Sequence, residues 1–111
     1  MALKFPFGAA ETIALSATGA QAITITNTVT YLDGVTTQAT GNRTLNLTID
    51  SEVGVGSVIF LASKTNGTET TIAGTGMTMP TITGGAGKTK VTQLTYTGTN
   101  FIATSAGYQI D

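Results

Sequence analysis

Acid–base or metal chemistry in this chain has six carboxylates to draw on: Glu11, Asp33, Asp50, Glu52, Glu69 and the terminal Asp111. There is no His and no Cys. The missing His removes the usual general base, the commonest metal ligand and any Ser–His hydrolase. The missing Cys removes disulfides and thiolate metal sites. Asp33 precedes Gly34, in a turn dipeptide whose carboxylate commonly bonds nearby backbone. Asp50 and Glu52 are close enough to bind Ca²⁺ from one loop, but no calcium-loop spacing surrounds them. A glycosidase needs a positioned carboxylate pair in a cleft, and no aromatic platform accompanies these acids.

Gly84-Gly85-Ala86-Gly87-Lys88-Thr89 resembles a phosphate-binding loop at first sight. That motif requires Gly, four residues, then Gly-Lys-Ser/Thr, and Ile82 holds the position of the first Gly. The run also leads into a strand pattern, whereas phosphate is held at a helix N-terminus. Asn42-Arg43-Thr44, Asn46-Leu47-Thr48 and Asn66-Gly67-Thr68 match the glycosylation acceptor pattern, which chance produces readily in a Thr-rich chain. The expectation is a protein with no catalytic residue, no metal and no cofactor.

The elements that position these residues come from a chain of 111 residues, a length that suits one domain. Only 10% of residues are charged and the net charge is −1. A nucleic-acid partner needs clustered Lys and Arg, so none is expected. No apolar run approaches the ~18 residues of a membrane helix, and Pro6, Gly8 and Glu11 interrupt any secretory core. No membrane association is expected. Thr is the commonest residue type. It favours strands, and a Thr-rich surface has few charges to desolvate on contact with another chain.

Apolar alternation, which reports strands, runs through the whole chain. Val58-Ile59-Phe60-Leu61-Ala62 is the longest apolar run and reads as a central strand covered on both faces. From Ala22 to Leu32, Ile23, Ile25, Val29 and Tyr31 take one face and Thr residues the other. Leu45, Leu47 and Ile49 alternate with Thr44, Asn46 and Thr48. Asp33-Gly34 and Asn66-Gly67 are hairpin dipeptides, and Pro80 demands an edge or a bulge. The expected fold is an all-β antiparallel β-sandwich, jelly-roll-like, of eight or nine short strands, with no solenoid-length repeat. Its expected core is Ile23, Ile25, Leu45, Leu47, Val58, Phe60, Leu61, Tyr96 and Phe101.

Residues 1–10 stand ahead of that domain, which spans 11–111. Pro6 keeps Phe5 extended, and Phe5 and Phe7 flank it. Two placements are open. Phe5, Pro6 and Phe7 form an arm that docks on a neighbouring subunit, or they form a first edge strand whose rings cap this chain's own core.

From Thr44 to Thr104 the chain resembles a β-sandwich module of tailed-bacteriophage virion proteins. Four elements carry the resemblance: Thr44-Leu45-Asn46-Leu47-Thr48-Ile49; Gly56-Ser57-Val58-Ile59-Phe60-Leu61; Gly87-Lys88-Thr89-Lys90-Val91; and Leu94-Thr95-Tyr96-Thr97-Gly98-Thr99-Asn100-Phe101. The last is similar to a Tyr-Asp-Gly-Thr-x-aromatic ending, with Thr97 in place of the acid. Such modules occur in capsid-decorating proteins, head fibres and tail fibres, often as trimers, and supply no catalytic residues. The resemblance implies a capsid auxiliary or decoration protein, or a small head-fibre protein. It would be made in the host cytoplasm and carried on the virion. It would be a homotrimer that binds major capsid or other virion proteins. No shaft-like repeat precedes the sandwich, which favours the capsid over a tail-fibre or baseplate receptor-binding tip. A carbohydrate-binding module is the alternative of another class. It would bind a glycan through exposed Tyr31, Tyr96 or Tyr108.

Overall fold

In the computed structural model the described residues are 11–103, 105 and 107–111. Phe5, Pro6 and Phe7 lie outside them. The strands are β1 Glu11–Ala14, β2 Gly19–Ile25, β3 Val29–Ala39, β4 Arg43–Ile49, β5 Val58–Thr65, β6 Thr70–Ala73, β7 Met77–Thr78, β8 Ile82–Thr83, β9 Thr89–Tyr96, β10 Phe101–Ala103 and β11 Tyr108–Gln109. The fold is all-β, with two facing sheets and no helix among the described residues.

From β1 to β9 successive strands alternate between the sheets. The first sheet runs β1-β3-β5-β9-β10-β7, with β11 also paired to β9; the second runs β2-β4-β6-β8. In the first, β1, β3 and β5 are parallel. In the second, β2, β4 and β6 are parallel. The chain therefore winds three times around one core, β1–β2, β3–β4 and β5–β6, before antiparallel strands close the stack: β9 on β5 and β8 on β6. This corrects the all-antiparallel expectation, and the jelly-roll order is not the one found.

The turn chemistry explains the difference. A type I′ hairpin needs positive φ at both central residues. Neither Asp33 and Gly34 nor Asn66 and Gly67 has it. Asp33-Gly34 instead lies inside β3, where the register against β5 shifts between Gly34 and Ala39. The Asp33 carboxylate accepts the Val35 and Thr36 amides at 2.9 and 3.1 Å and shapes that irregularity. Gly34 sits there because there is no room for a side chain: a Cβ would come within 2.6 Å of the Ala62 carbonyl oxygen. Among the described residues one true hairpin joins β9 to β10. Its turn closes by Thr97 N–H donating to the Asn100 carbonyl, with Gly98 at φ 100°.

The inner faces interlock by residue rows. Leu32 lies beside Leu61, and Ile59 beside Leu94, in the first sheet. Ile23 lies beside Leu47 in the second. These residues, with Ile25, Leu45 and Phe101, are buried. Tyr96 is half-buried, its ring 5.0 Å from that of Phe101. Two expected core residues face the other way. Phe60 is 46% exposed and Val58 is half-buried, because β5 is covered on its inner face and open on its outer one. The apparent strand from Ala22 to Leu32 is two strands: Thr26-Asn27-Thr28 crosses between sheets, so Thr30 and Leu32 turn inward and Val29 and Tyr31 outward.

Arg43 is the largest fully buried side chain. It shares the inward parity of Leu45 and Leu47 on β4. Its guanidinium donates to the carbonyls of Ser16 and Thr37 through Nη1. Through Nη2 it donates to the carbonyls of Gly34 and Lys64 and to the Ser63 hydroxyl, all at 3.1–3.3 Å. Burial lowers its pKa, and the charge of Asp33 partly opposes that. The side chain ties the first, second and third windings together.

Candidate functional site

The outer face of the first sheet gathers three aromatic rings that are distant in sequence. Parallel pairing sets Tyr31 of β3 beside Phe60 of β5. Antiparallel pairing sets Phe60 beside Gln93 of β9, and Ala62 beside Val91. Tyr108 of β11 lies beside Val91 in turn. The small Ala62 makes a floor between taller neighbours. The result is an open groove of about 450 Å³ walled by Tyr31, Phe60, Gln93, Ser105 and Tyr108, and among the described residues none that lines it is charged. Tyr108 is 71% exposed and Ile102 extends the apolar surface along β10.

One polar cluster sits at the rim. The Asp33 carboxylate accepts hydrogen bonds from the Thr36 hydroxyl at 2.6 Å and from the two amides of its bulge. The Thr36 hydroxyl, then the amides and the Tyr31 hydroxyl, hold Asp33 below its ordinary pKa. Burial, and then the neighbouring Asp33 charge and hydrogen bond, raise the pKa of the Tyr31 hydroxyl. A carboxyl group with a lowered folded pKa adds stability above its unfolded value of about 3.9, and that stability is lost as pH falls through the folded value. Asp33→Asn is therefore expected to flatten the fall in melting temperature between about pH 5 and pH 2. Parallel acid curves for parent and variant would refute the assignment.

The other sequence candidates have structural places. Asp50 accepts the Glu52 amide at 2.9 Å and closes its own loop. Among the described residues no three His, Cys, Asp or Glu side chains are grouped to hold a metal. The Gly84–Thr89 run is tied to the end of β5, with Gly87 N–H donating to the Thr65 carbonyl and the Thr65 hydroxyl to the Gly85 carbonyl. Asn42 and Asn46 brace the third winding by accepting the amides of Thr70 and Thr75. Of the three Tyr residues considered for a glycan, Tyr31 and Tyr108 meet at the groove. Tyr96 is packed against the core cluster. Phe60 was missed as a surface residue because its apolar run gives no sign of which face is wet.

No family model, curated protein or solved structure matches this chain.

Proposed function

We propose that this chain is a non-enzymatic structural protein of a tailed-phage particle. In this reading it is a capsid auxiliary or decoration protein, made in the host cytoplasm and bound as a homotrimer to the assembled shell. The observation that carries the proposal is the open groove on the outer face of the first sheet, whose described lining is uncharged, with Phe60, Ile102 and Tyr108 exposed on that face. Exposed apolar area of this kind marks an interaction surface, and aromatic anchors dominate such contacts. The sparse charge of the whole chain keeps the cost of covering it low. The resemblance between Thr44 and Thr104 supplies the particle.

Co-sedimentation with shells lacking this protein tests the reading. Phe60→Asp is expected to cost about 2 kcal/mol or more, roughly thirty-fold in affinity. Thr24→Asp, on the exposed face of β2, is expected to bind like the parent. Equal binding by parent and Phe60→Asp would remove this face from the interface.

A second reading has its own observation. Two Tyr rings and one Phe ring around a groove with the Gln93 amide suit the C–H face and hydroxyls of a neutral glycan, as on a receptor-binding tip. Binding of an oligosaccharide that is lost in Tyr108→Ala, together with no binding to shells, would favour that reading.

A further inference from the structure

Asn66-Gly67 is not a type I′ turn, and its residues are placed for a different chemistry. The chain has five Asn: Asn27, Asn42, Asn46, Asn66 and Asn100. Asn66 alone is followed by Gly. The side-chain oxygens of Asn42 and Asn46 accept backbone amides, and the Asn100 side chain bonds those of Thr78 and Thr97. Asn66 stands exposed in the link 66–69 between β5 and β6. Its backbone neighbour, the Gly67 N–H, donates to Glu69 Oε1 at 2.7 Å.

We propose that Asn66 is a self-modification site, deamidated by its own backbone to aspartate and isoaspartate, and that Glu69 sets the rate. The Gly67 nitrogen attacks Asn66 Cγ, and a new N–Cγ bond closes a five-membered imide. The Cγ–Nδ2 bond breaks, and ammonia leaves with the proton that the Gly67 nitrogen gives up through solvent. Water then opens the imide at either carbonyl. Opening at Cγ gives aspartate, and opening at the Asn66 backbone carbonyl gives isoaspartate. The net change is one water consumed and one ammonia released, with no oxidation. Gly at 67 leaves the attacking nitrogen uncrowded, because there is no Cβ beside it. The exposed Asn66 side chain gives water access to the ring.

Glu69 restrains this reaction. A carboxylate is far too weak a base to take a proton from a backbone amide. Its charge instead strengthens the hydrogen bond to the Gly67 N–H and opposes negative charge developing on that nitrogen. Two more bonds hold the same link. The Asn66 N–H donates to the Ala39 carbonyl at 3.0 Å, and the Thr65 hydroxyl donates to the Gly67 carbonyl at 2.8 Å. Attack needs the nitrogen turned onto Cγ at near-contact distance, so these bonds must open first.

Asp33-Gly34 has the same spacing and lacks the freedom. Both residues are in register with β5, and the Asp33 carboxylate accepts two amides and the Thr36 hydroxyl. Modification at Asn66 adds a carboxylate close to Glu69, and isoaspartate also lengthens the backbone of the turn by one methylene. The site is independent of whatever the outer face of the first sheet binds.

The test follows ageing of the purified chain at mildly alkaline pH. Peptides are mapped by mass spectrometry with fragmentation that separates isoaspartate from aspartate. Parent, Glu69→Gln, Glu69→Ala and Gly67→Ala are compared, each folded and in urea. Conversion is expected at Asn66 ahead of the other four Asn, slow in the folded parent and fast in urea. Glu69→Ala should quicken the folded chain about ten-fold, the factor for one lost charge-assisted bond. Glu69→Gln, which keeps an oxygen acceptor without the charge, should fall between, and Gly67→Ala should be slow throughout. Hydrogen exchange separates local release from unfolding: the Gly67 amide should exchange faster in both Glu69 variants while the β4 amides stay protected. Glu69 variants that deamidate no faster than the parent, or more slowly, would overturn the role of Glu69. A folded chain that stays intact at Asn66 in every variant, while the chain in urea converts, would remove the site.

Discussion

Arg43→Ala is expected to leave the chain largely unfolded at room temperature. The substitution removes five hydrogen bonds at once and opens a cavity where the largest fully buried side chain stood. A buried polar group that loses its partner costs about 1–3 kcal/mol, and the acceptors here lie on three windings. The summed loss, on the order of 4 kcal/mol or more, is a large share of a domain's stability. Arg43→Met separates packing from hydrogen bonding. It refills much of the volume and supplies no donor, so it should fall between parent and Arg43→Ala in a urea melt. A buried charge without a carboxylate partner is itself costly, and replacing such charges by apolar groups sometimes stabilises a protein. Arg43 also leaves its Nε without a partner among the described residues. An Arg43→Met chain more stable than the parent would show that the five bonds do not offset the desolvation of the guanidinium.

Arg43 also shows how much of the fold the sequence carries. Alternation from Arg43 through Leu45 and Leu47 puts the arginine on the inward face, so parity alone placed it in the core. Arg is rarely fully buried, so residue type and parity point in opposite directions at this position. Class was legible for the same reason that faces were: a period of two with many Thr and no helical period excludes the alternatives. Strand partners were not legible. Alternation says which side chains share a face and nothing about which strand lies alongside. The same Ile23-Thr24-Ile25 pattern serves a hairpin or a winding equally well. The local clues that decide between them were Asp33-Gly34 and Asn66-Gly67. Both dipeptides serve other ends here: the first shapes a bulge, and Gly67 donates its N–H to the Glu69 carboxylate at 2.7 Å.

The candidate site was less legible than the core. Tyr31, Phe60 and Tyr108 belong to three strands whose adjacency follows from parallel register between β3 and β5 and from β11 returning along β9. Neither pairing leaves a mark in composition. All three Tyr residues were candidates from the sequence and two of them, Tyr31 and Tyr108, meet at the groove, but the ring between them, Phe60, was assigned to the core. A run of five apolar residues predicts two covered faces. In this fold the outer face of β5 has only the chain's own shallow rim around it.

The largest contrast expected from any pair of neighbours lies at that strand. Leu61→Asp should abolish folding, and Phe60→Asp should leave it intact. Leu61 is 1% exposed and faces the core beside Leu32. Burying its side chain stabilises the fold by about 1.5–3 kcal/mol. The aspartate would forfeit that and place a carboxylate in an apolar row with no cation to meet it. The total exceeds about 5 kcal/mol, at or above the low end of what holds a domain together. Phe60, one residue earlier on the same strand, is 46% exposed and borders the groove. A carboxylate there stays in water, and the change in stability should remain within about 1 kcal/mol. Urea melts of the two variants followed by circular dichroism measure both at once. A Leu61→Asp chain that melts with the parent would mean that β5 presents its other face to the core. A Phe60→Asp chain that fails to fold would mean that the outer face is covered within the chain, leaving no open surface for a shell or a glycan.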